Sequence, residues 1–353
     1  MNVALFHAER GRGRTSPNPT VGAIVVSADG VVVGHGCTEP AGLRHAEVVA
    51  LDMAGSQARG GTLYCTLEPC SHVGRTGPCV ERIVDAGVAH VVASVEDPDP
   101  RVSGRGFAFL RARGVGVDIG LGAARATTIN QAFFTLMRER RPFVILKAAM
   151  SSDGFIAEAA HRRTWLTSPA ANRHAHLMRA EVDAIGVGIG TVLADDPQLT
   201  VRGVFRTRPL VRVIFDRHLR TPPGARVLST QEAGPVMIVT GPGGAAHAQA
   251  RGRLEDLGVQ IEVVEDGTLQ AAATRLGKRQ IGSLMLEGGA AIHQSAWNEG
   301  IVDFVQLYVT PRVLGAGVRL LNGQPFSSTA LADRHIRPLG PDVLIEGYVH
   351  GPR

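Results

Sequence analysis

Aromatic residues make up only 5% of the 353 positions, and there are four cysteines. So few aromatics leave little for nucleic-acid bases to stack on, and no basic–aromatic stripe offers a strand-binding track. The cores are therefore expected to be aliphatic. Four cysteines in a reducing compartment suit metal ligands or buried thiols better than a disulfide framework. No apolar run approaches the roughly 20 residues that span a bilayer. The opening "MNVALFHAERGRGR" meets charge too soon for a signal-peptide core. The expected location is the cytoplasm, with no membrane partner. Neither an internal repeat nor a long low-complexity segment is present. The net charge of +5 is small for the length, and the arginines are scattered. Dispersed basicity suits a phosphate-bearing small molecule as well as nucleic acid, so charge alone decides nothing.

The chain has the length of two domains, and 44% apolar residues can fill two cores. Apolar, β-branched runs alternate with helical stretches throughout. "VGAIVVS", "TLYCTLEP", "AHVVASV" and "VGVDI" read as buried strands; "HAEVVALDMAG", "PCVERIVDAG" and "ARATTINQAFFTLMRER" read as helices. This alternation predicts an α/β protein. At "MRERRPF", residues 137–143, a helix ends in charge and a proline follows. The predicted boundary therefore divides domains 1–140 and 141–353. Beyond it come "FVILKAAM", "DAIGVGIG", "LVRVIFD", "PVMIVTG", "VQIEVVE", "GSLMLEGG" and "FVQLYVT", with "TGPGGAAHAQARG" as a surface loop leading into a helix.

The first half holds one chemically pointed constellation. His45, Cys70 and Cys79 are zinc-type donors, and three protein ligands leave the fourth position of a catalytic zinc open for water. Pro69 before Cys70 predicts a helix start, where the dipole favours a thiolate. Glu47 lies two residues beyond His45, placed to face that fourth position and move protons. His-x-Glu followed by Pro-Cys and a later Cys is the pattern of zinc-dependent base deaminases. The spacing departs from the usual Cys-x-x-Cys, because eight residues separate the two cysteines. Cys37 and Cys65 have no partner pattern and read as packed thiols.

The second half speaks less clearly. No G-x-G-x-x-G follows its first strand, so a standard Rossmann domain is not supported. Instead "VGIGTVLADDP" and "LEGGAAIHQSA" set glycines between a strand and a helix, where backbone N–H groups can approach a phosphate. Plain tight turns use the same device, and Asp195 with Asp196 could simply form a turn before Pro197. A lone lysine, Lys147, sits in a strand expected to be buried on both faces, which predicts that it faces an active cleft.

Taken in order, "SPNPTVGAIVV", "HAEVVAL", "TLEPCSHVGRTGPC", "EDPDPRVSGRG", "RPFVILKAAMSSDGFIA", "WLTS", "VGIGTVLADDPQLTVR" and "LMLEGGAAIHQSA" resemble the bifunctional riboflavin-biosynthesis deaminase–reductase family over nearly the whole chain. The resemblance implies an N-terminal cytidine-deaminase-like three-layer α/β sandwich and a C-terminal dihydrofolate-reductase-like domain. It implies zinc-dependent hydrolytic deamination of 2,5-diamino-6-ribosylamino-4(3H)-pyrimidinone 5′-phosphate, then NADPH-dependent reduction of the ribose to a ribityl chain. His45, Cys70 and Cys79 match the zinc ligands and Glu47 the proton shuttle. Asn18 falls where the family positions the pyrimidine, although an Asx turn would also explain it. Cofactor contacts carry onto Ala149, Trp165, Thr191, Asp195 and the run Gly289, Ala290, Ala291, Ile292, His293, Gln294 and Ser295. Substrate contacts carry onto Arg179, Leu199, Arg202 and Glu287, joined by Lys147 and Arg163. The resemblance also implies a homo-oligomer.

Four positions depart from the family pattern. Thr38 stands in place of His, Arg44 in place of Pro, Gly77 in place of the first Pro of Pro-Pro-Cys, and Arg163 in place of a small Ser. Thr38 and Arg44 bear on substrate fit in the deaminase. Arg163 either adds a phosphate contact or blocks the reductase pocket. These departures keep open a paralogue with one active half, or one acting on a related pyrimidine.

Overall fold

A computed structural model describes residues 1–351 apart from 73–76, 161, 163 and 322–325. Two compact units result, Met1–Glu139 and Arg140–Gly351.

The first unit contains strands β1 (Gly22–Val26), β2 (Val32–Cys37), β3 (Thr62–Cys65), β4 (His90–Ala93) and β5 (Gly116–Ile119), in the sheet order β2-β1-β3-β4-β5. Strand β1 runs antiparallel to β2 and β3, while β3, β4 and β5 are parallel. Its helices are α1 (Asn2–Arg10), α2 (Ala46–Ala54), α3 (Cys79–Asp85), α4 (Arg105–Ala112) and α5 (Ala123–Glu139). Two glycines explain how tightly the layers stack. A Cβ on Gly22 would lie 1.8 Å from the Ala4 carbonyl oxygen of α1, and one on Gly36 would lie 2.5 Å from that of Ala46 in α2. Gly36 pairs with Ala23, the residue after Gly22, so the two helices press on opposite faces of the sheet. Helix, sheet and helix make the three layers.

Helix α5 departs from helical geometry at Asn130 (φ −107°, ψ 15°). The Asn130 amide there donates to the Thr20 carbonyl at 3.0 Å and accepts from the Thr20 N–H at 2.8 Å, joining the kink to the approach to β1.

The second unit contains β6 (Phe143–Ser151), β7 (Phe155–Ala157), β8 (Ala184–Gly188), β9 (Val211–Phe215), β10 (Val236–Thr240), β11 (Gln260–Val263), β12 (Ser283–Glu287), β13 (Phe304–Thr310), β14 (Val318–Arg319), β15 (Ala332–Leu339) and β16 (Asp342–Tyr348). Nine of these form a sheet ordered β11-β10-β9-β8-β12-β6-β13-β16-β15, parallel from β11 to β13 and antiparallel at its β16–β15 end. Its helices are α6 (Pro169–Glu181), α7 (Ile189–Asp195), α8 (Pro242–Ala245), α9 (Ala248–Asp256), α10 (Leu269–Lys278) and α11 (Ala290–Asn298). Val144, Leu146 and Ala148 of β6 enter one core with Leu276 and Ile292, while Ile145 packs against another with Ile185 and Ile214. Both sheet faces are therefore covered, as a central parallel strand requires. Strand β12 inserts between β8 and β6, so Glu287 lies beside Lys147 despite a separation of 140 positions in sequence. Among the described residues no helix is long and apolar enough to cross a membrane.

Several expectations need adjustment. The strand expected over 62–69 stops at Cys65, where the chain turns irregular toward Cys70. Pro69 does not open a helix; Pro78 caps one instead, with Cys79 as its first residue. The expected loop at 240–252 contains the short α8 and the start of α9.

Candidate functional site

In the first unit three donors converge. His45 is the N-cap of α2 in extended geometry (φ −78°, ψ 160°), and Cys79 opens α3. The His45 Nδ1 lies 3.5 Å from Cys70 Sγ and 3.3 Å from Cys79 Sγ, and all three ligand atoms fall within 4.8 Å of one another. Tetrahedral zinc with Zn–N near 2.0–2.1 Å and Zn–S near 2.3 Å sets nitrogen and sulfur roughly 3.5 Å apart. These residues therefore fit the ion. The Cys79 backbone N–H donates to Cys70 Sγ at 3.3 Å, and Cys70 is held well below the ordinary thiol range by hydrogen bonds from Cys79 and His45. Glu47 is buried on the first turn of α2, and burial pushes its carboxyl upward.

The surrounding frame is rigid. Glu68 accepts backbone N–H bonds from Asp97, Gly104, Gly106 and Phe107 at 2.8–3.3 Å, tying the segment before Cys70 to the start of α4. Asn18 closes a turn, its N–H donating to the Thr15 carbonyl. Cys65 is fully buried and Cys37 partly so, as packed thiols should be. Three of the departures fall on described residues. Thr38 is buried, its hydroxyl accepting from the Val21 N–H at 3.1 Å. The exposed Arg44 binds Glu39 at 2.8 Å and Asp52 at 3.4 Å. Gly77 is exposed, with nothing within 4 Å of a would-be Cβ.

The second unit has a cleft of about 490 Å³ at the C-terminal ends of β6, β8 and β12. Crevices outside the carboxyl ends of parallel strands are where such sheets bind ligands. Lys147, Ala149, Arg179, Thr191, Asp195, Leu199, Glu287, Gly289, Ala290, Ala291 and Ile292 line it, as do Gly188 and Gly190. Glycines at two strand-to-helix turns leave room for a phosphate-bearing cofactor, and among the described residues nothing lies within 4 Å of a Cβ placed on Gly190. The Gly289 N–H donates to the Thr191 hydroxyl at 3.1 Å, coupling the two turns. Glu287 accepts twice from Arg179 at 2.7 Å and faces Lys147 Nζ at 3.5 Å. Its carboxyl lies far below the ordinary range: burial alone would raise it, and the two cations overcome that.

Other expected residues stand elsewhere. His293 is fully buried, its Nε2 3.4 Å from the Leu286 carbonyl, because the fourth residue of α11 turns under the helix. Gln294 and Ser295, a step further on, are also outside the cleft lining. Trp165 is 68% exposed, and Arg312 donates to its carbonyl. The Arg202 backbone N–H donates to His176 Nδ1 at 3.2 Å, and Arg202 does not line the cleft. Arg163 lies outside the described residues. Sequence reasoning missed His174, Gln306 and Tyr308 beside this site. For Gln306 and Tyr308 the signal was polarity at alternate positions of "FVQLYVT" in a strand otherwise apolar; His174, on α6, gave none.

Residues 1–95 match the family model of the cytidine and deoxycytidylate deaminase zinc-binding region, and residues 142–345 match that of the RibD C-terminal domain. The riboflavin biosynthesis protein RibD of Aquifex aeolicus is 40% identical over 348 residues, spanning 98% of this chain and 96% of that protein. RibD of Escherichia coli is 40% identical over 358 residues, spanning 98% and 97%. Among solved structures, Acinetobacter baumannii RibD superposes with a TM-score of 0.87 at 36% identity, covering 98% of this chain and 97% of that one. A Thermotoga maritima diaminohydroxyphosphoribosylaminopyrimidine deaminase/5-amino-6-(5-phosphoribosylamino)uracil reductase gives 0.84 at 31%, covering 99% and 97%. With both units matched in order along their full length, the chain belongs to the RibD family of bifunctional riboflavin-biosynthesis deaminase–reductases.

Proposed function

We propose that residues 1–140 deaminate 2,5-diamino-6-ribosylamino-4(3H)-pyrimidinone 5′-phosphate and that residues 141–353 then reduce the deaminated product with NADPH. The observation that carries this reading is the convergence of His45, Cys70 and Cys79 beside the buried carboxyl of Glu47. Zinc, when bound, lowers the pKa of a water molecule to about 7, so that hydroxide is available at neutral pH. His45, Cys70 and Cys79 hold the ion. Glu47 takes a proton from the water and hands it to the departing amine, which leaves as ammonia. Asn18 holds the pyrimidine.

In the reductase, NADPH when bound would supply the hydride for the sugar carbon. Ala149, Trp165, Thr191, Asp195 and the turn from Gly289 onward hold the cofactor, and Arg179, Leu199, Arg202, Glu287 and Lys147 hold the substrate. Hydride transfer asks the protein chiefly for register between donor and acceptor carbons. The charged trio in the cleft supports this assignment, because a sugar phosphate and a developing alkoxide both need cationic and hydrogen-bonding partners. The enzyme acts in the cytoplasm as a homo-oligomer, a reading supported by family resemblance and checked by light scattering.

A product-mass assay on the zinc-loaded protein, with and without NADPH, tests the whole. Deamination alone without NADPH, and deamination followed by reduction with it, is the expected result. Deamination with no reduction sinks the second half of the reading and points to Arg163 as an obstruction. No turnover at all means a different pyrimidine.

A further inference from the structure

Five polar side chains beside the reductase cleft play no part in the reading above: His174 on α6, Gln306 and Tyr308 on β13, Arg337 on β15 and Glu346 on β16. Strand register organises them. Glu287, Lys147, Gln306 and Glu346 stand side by side in one row across β12, β6, β13 and β16. The next row holds Ala149, Tyr308, Leu344 and Arg337, across β6, β13, β16 and β15. Directly paired residues share a sheet face, and here it is the face that α6 covers with Ala171 and Ala175.

Their contacts run in a chain from Lys147 to Gln306, its cross-strand neighbour. The Lys147 ammonium lies 5.4 Å from the centre of the Tyr308 ring. The Tyr308 hydroxyl is 2.9 Å from His174 Nδ1, and His174 Nε2 is 2.7 Å from the Arg337 guanidinium. Arg337 faces Glu346 at 3.5 Å, and Glu346 accepts from the Gln306 amide at 2.8 Å. Glu346 only accepts, so the amide nitrogen of Gln306 must face it, and Oε1 is the other end of the group. That oxygen is buried with no hydrogen-bond partner among the described residues. The cross-strand neighbour of Gln306 is Lys147.

Arginine can only donate, so Nε2 of His174 is an acceptor. Burial, helped by the Arg337 charge, lowers the His174 pKa and keeps the ring neutral. The single ring proton therefore sits on Nδ1 and is donated to the Tyr308 oxygen. That bond fixes the phenol ring against which Lys147 rests. A lysine ammonium has three donors, and Glu287 engages one. A buried acceptor left unpaired beside it is costly unless the lysine uses it.

The geometry points to His174, Tyr308, Arg337, Glu346 and Gln306 as a positioning relay for Lys147: the Tyr308 ring supports the ammonium, and Gln306 Oε1 takes a second N–H when substrate engages Glu287. This rests on the reductase reading of the cleft. The relay aims a cation at the cleft without itself touching substrate, so its loss lowers kcat and spares cofactor binding.

The test follows reduction of pre-deaminated substrate by steady-state NADPH oxidation in His174→Leu, His174→Asn and Gln306→Leu, each alone and combined with Lys147→Met. His174→Leu and Gln306→Leu are expected to lower kcat by about tenfold or more, with the KM for NADPH within about twofold of wild type. His174→Asn keeps an N–H donor near the Nδ1 position and restores most of the rate. In Lys147→Met the same changes add nothing, because the group they position is gone. Full kcat in the Leu variants overturns the relay, and so does an undiminished loss in Lys147→Met, which marks a merely structural role. If His174→Leu does not fold, Gln306→Leu with and without Lys147→Met carries the same decision. Absence of NADPH oxidation by the wild-type protein sinks the reductase reading itself, a result distinct from any pattern among variants.

Discussion

The two units hold their reactive groups by different means. In the first, the donors stand at helix starts and in a turn, within a stretch of 35 positions from His45 to Cys79. In the second, Lys147 and Glu287 sit on adjacent parallel strands far apart in sequence, and Arg179 reaches Glu287 from a helix above them. The first site is a set of ligand types gathered by local geometry. The second is a buried charge balance created by sheet order. A site of the first kind tolerates loss of its proton carrier without structural harm, whereas a site of the second kind loses stability with any single charge.

The sharpest way to break this contrast is Glu47→Gln. General acid–base catalysis is worth about 10²–10⁴-fold, so deamination is expected to fall by that order. Zinc content by metal analysis and reduction of pre-deaminated substrate should both stay at wild-type levels. Retained deamination would remove Glu47 from the mechanism.

Glu287→Ala comes next and attacks the other kind of site. It leaves Arg179 and Lys147 without their shared carboxylate, and breaking a buried ion pair costs about 3–5 kcal/mol. Thermal denaturation should show the loss, NADPH oxidation should stop, and deamination should persist. A variant as stable as wild type would mean that the trio is not a buried charge balance.

Acid separates the units further. His293 titrates at about 4 in the folded chain against an ordinary 6.5, chiefly because burial disfavours the charged ring. The unfolded chain therefore binds the extra proton between these values, and the contribution is full above pH 6.5 and declines as the pH falls toward 4. At ~1.4 kcal/mol per pH unit, about 2 kcal/mol is lost between pH 6.5 and 5. Asp97 in the first unit runs the opposite way: burial, with Asp99 and Glu68 adding, pushes it up to about 7, so its contribution is lost as the pH rises through that value. Melting curves of His293→Phe and Asp97→Asn over pH 5–7 should depart from wild type with opposite slopes. Parallel slopes would refute the assignment.

The smallest effect belongs to Arg44→Ala. Its ion pairs are solvent-exposed and screened by water and salt, so the melting temperature should stay close to that of wild type. Deamination should not change measurably. A large loss of deamination would show that Arg44 leaves Glu39 and Asp52 to meet substrate.

The zinc site was legible because its chemistry is written in residue types: few functions other than metal binding bring His-Ala-Glu, Pro-Cys and a further Cys into one short segment. Even there the sequence misplaced the local geometry. The helix start belongs to Cys79, because Pro78 caps α3, while Pro69 and Cys70 lie in the irregular turn after β3. In the reductase half the strand–glycine–helix turns were visible, and Lys147 stood out as a lysine inside an apolar strand; it lines the cleft. The residues grouped around it were not visible, since His174, Gln306 and Tyr308 carry no spacing motif that links them to Lys147.

By itself, then, the sequence determined the α/β character of both halves, and it pointed to a boundary near residue 140 and to three donors and one carboxyl as a candidate first site. Apolar periodicity and ligand chemistry are local properties of the chain, and local properties survive reading in one dimension. Only the tertiary structure decided which strands are neighbours. Strand β12 inserts between β8 and β6 and thereby pairs Glu287 with Lys147. That choice depends on long-range packing of both sheet faces, which no window of sequence contains.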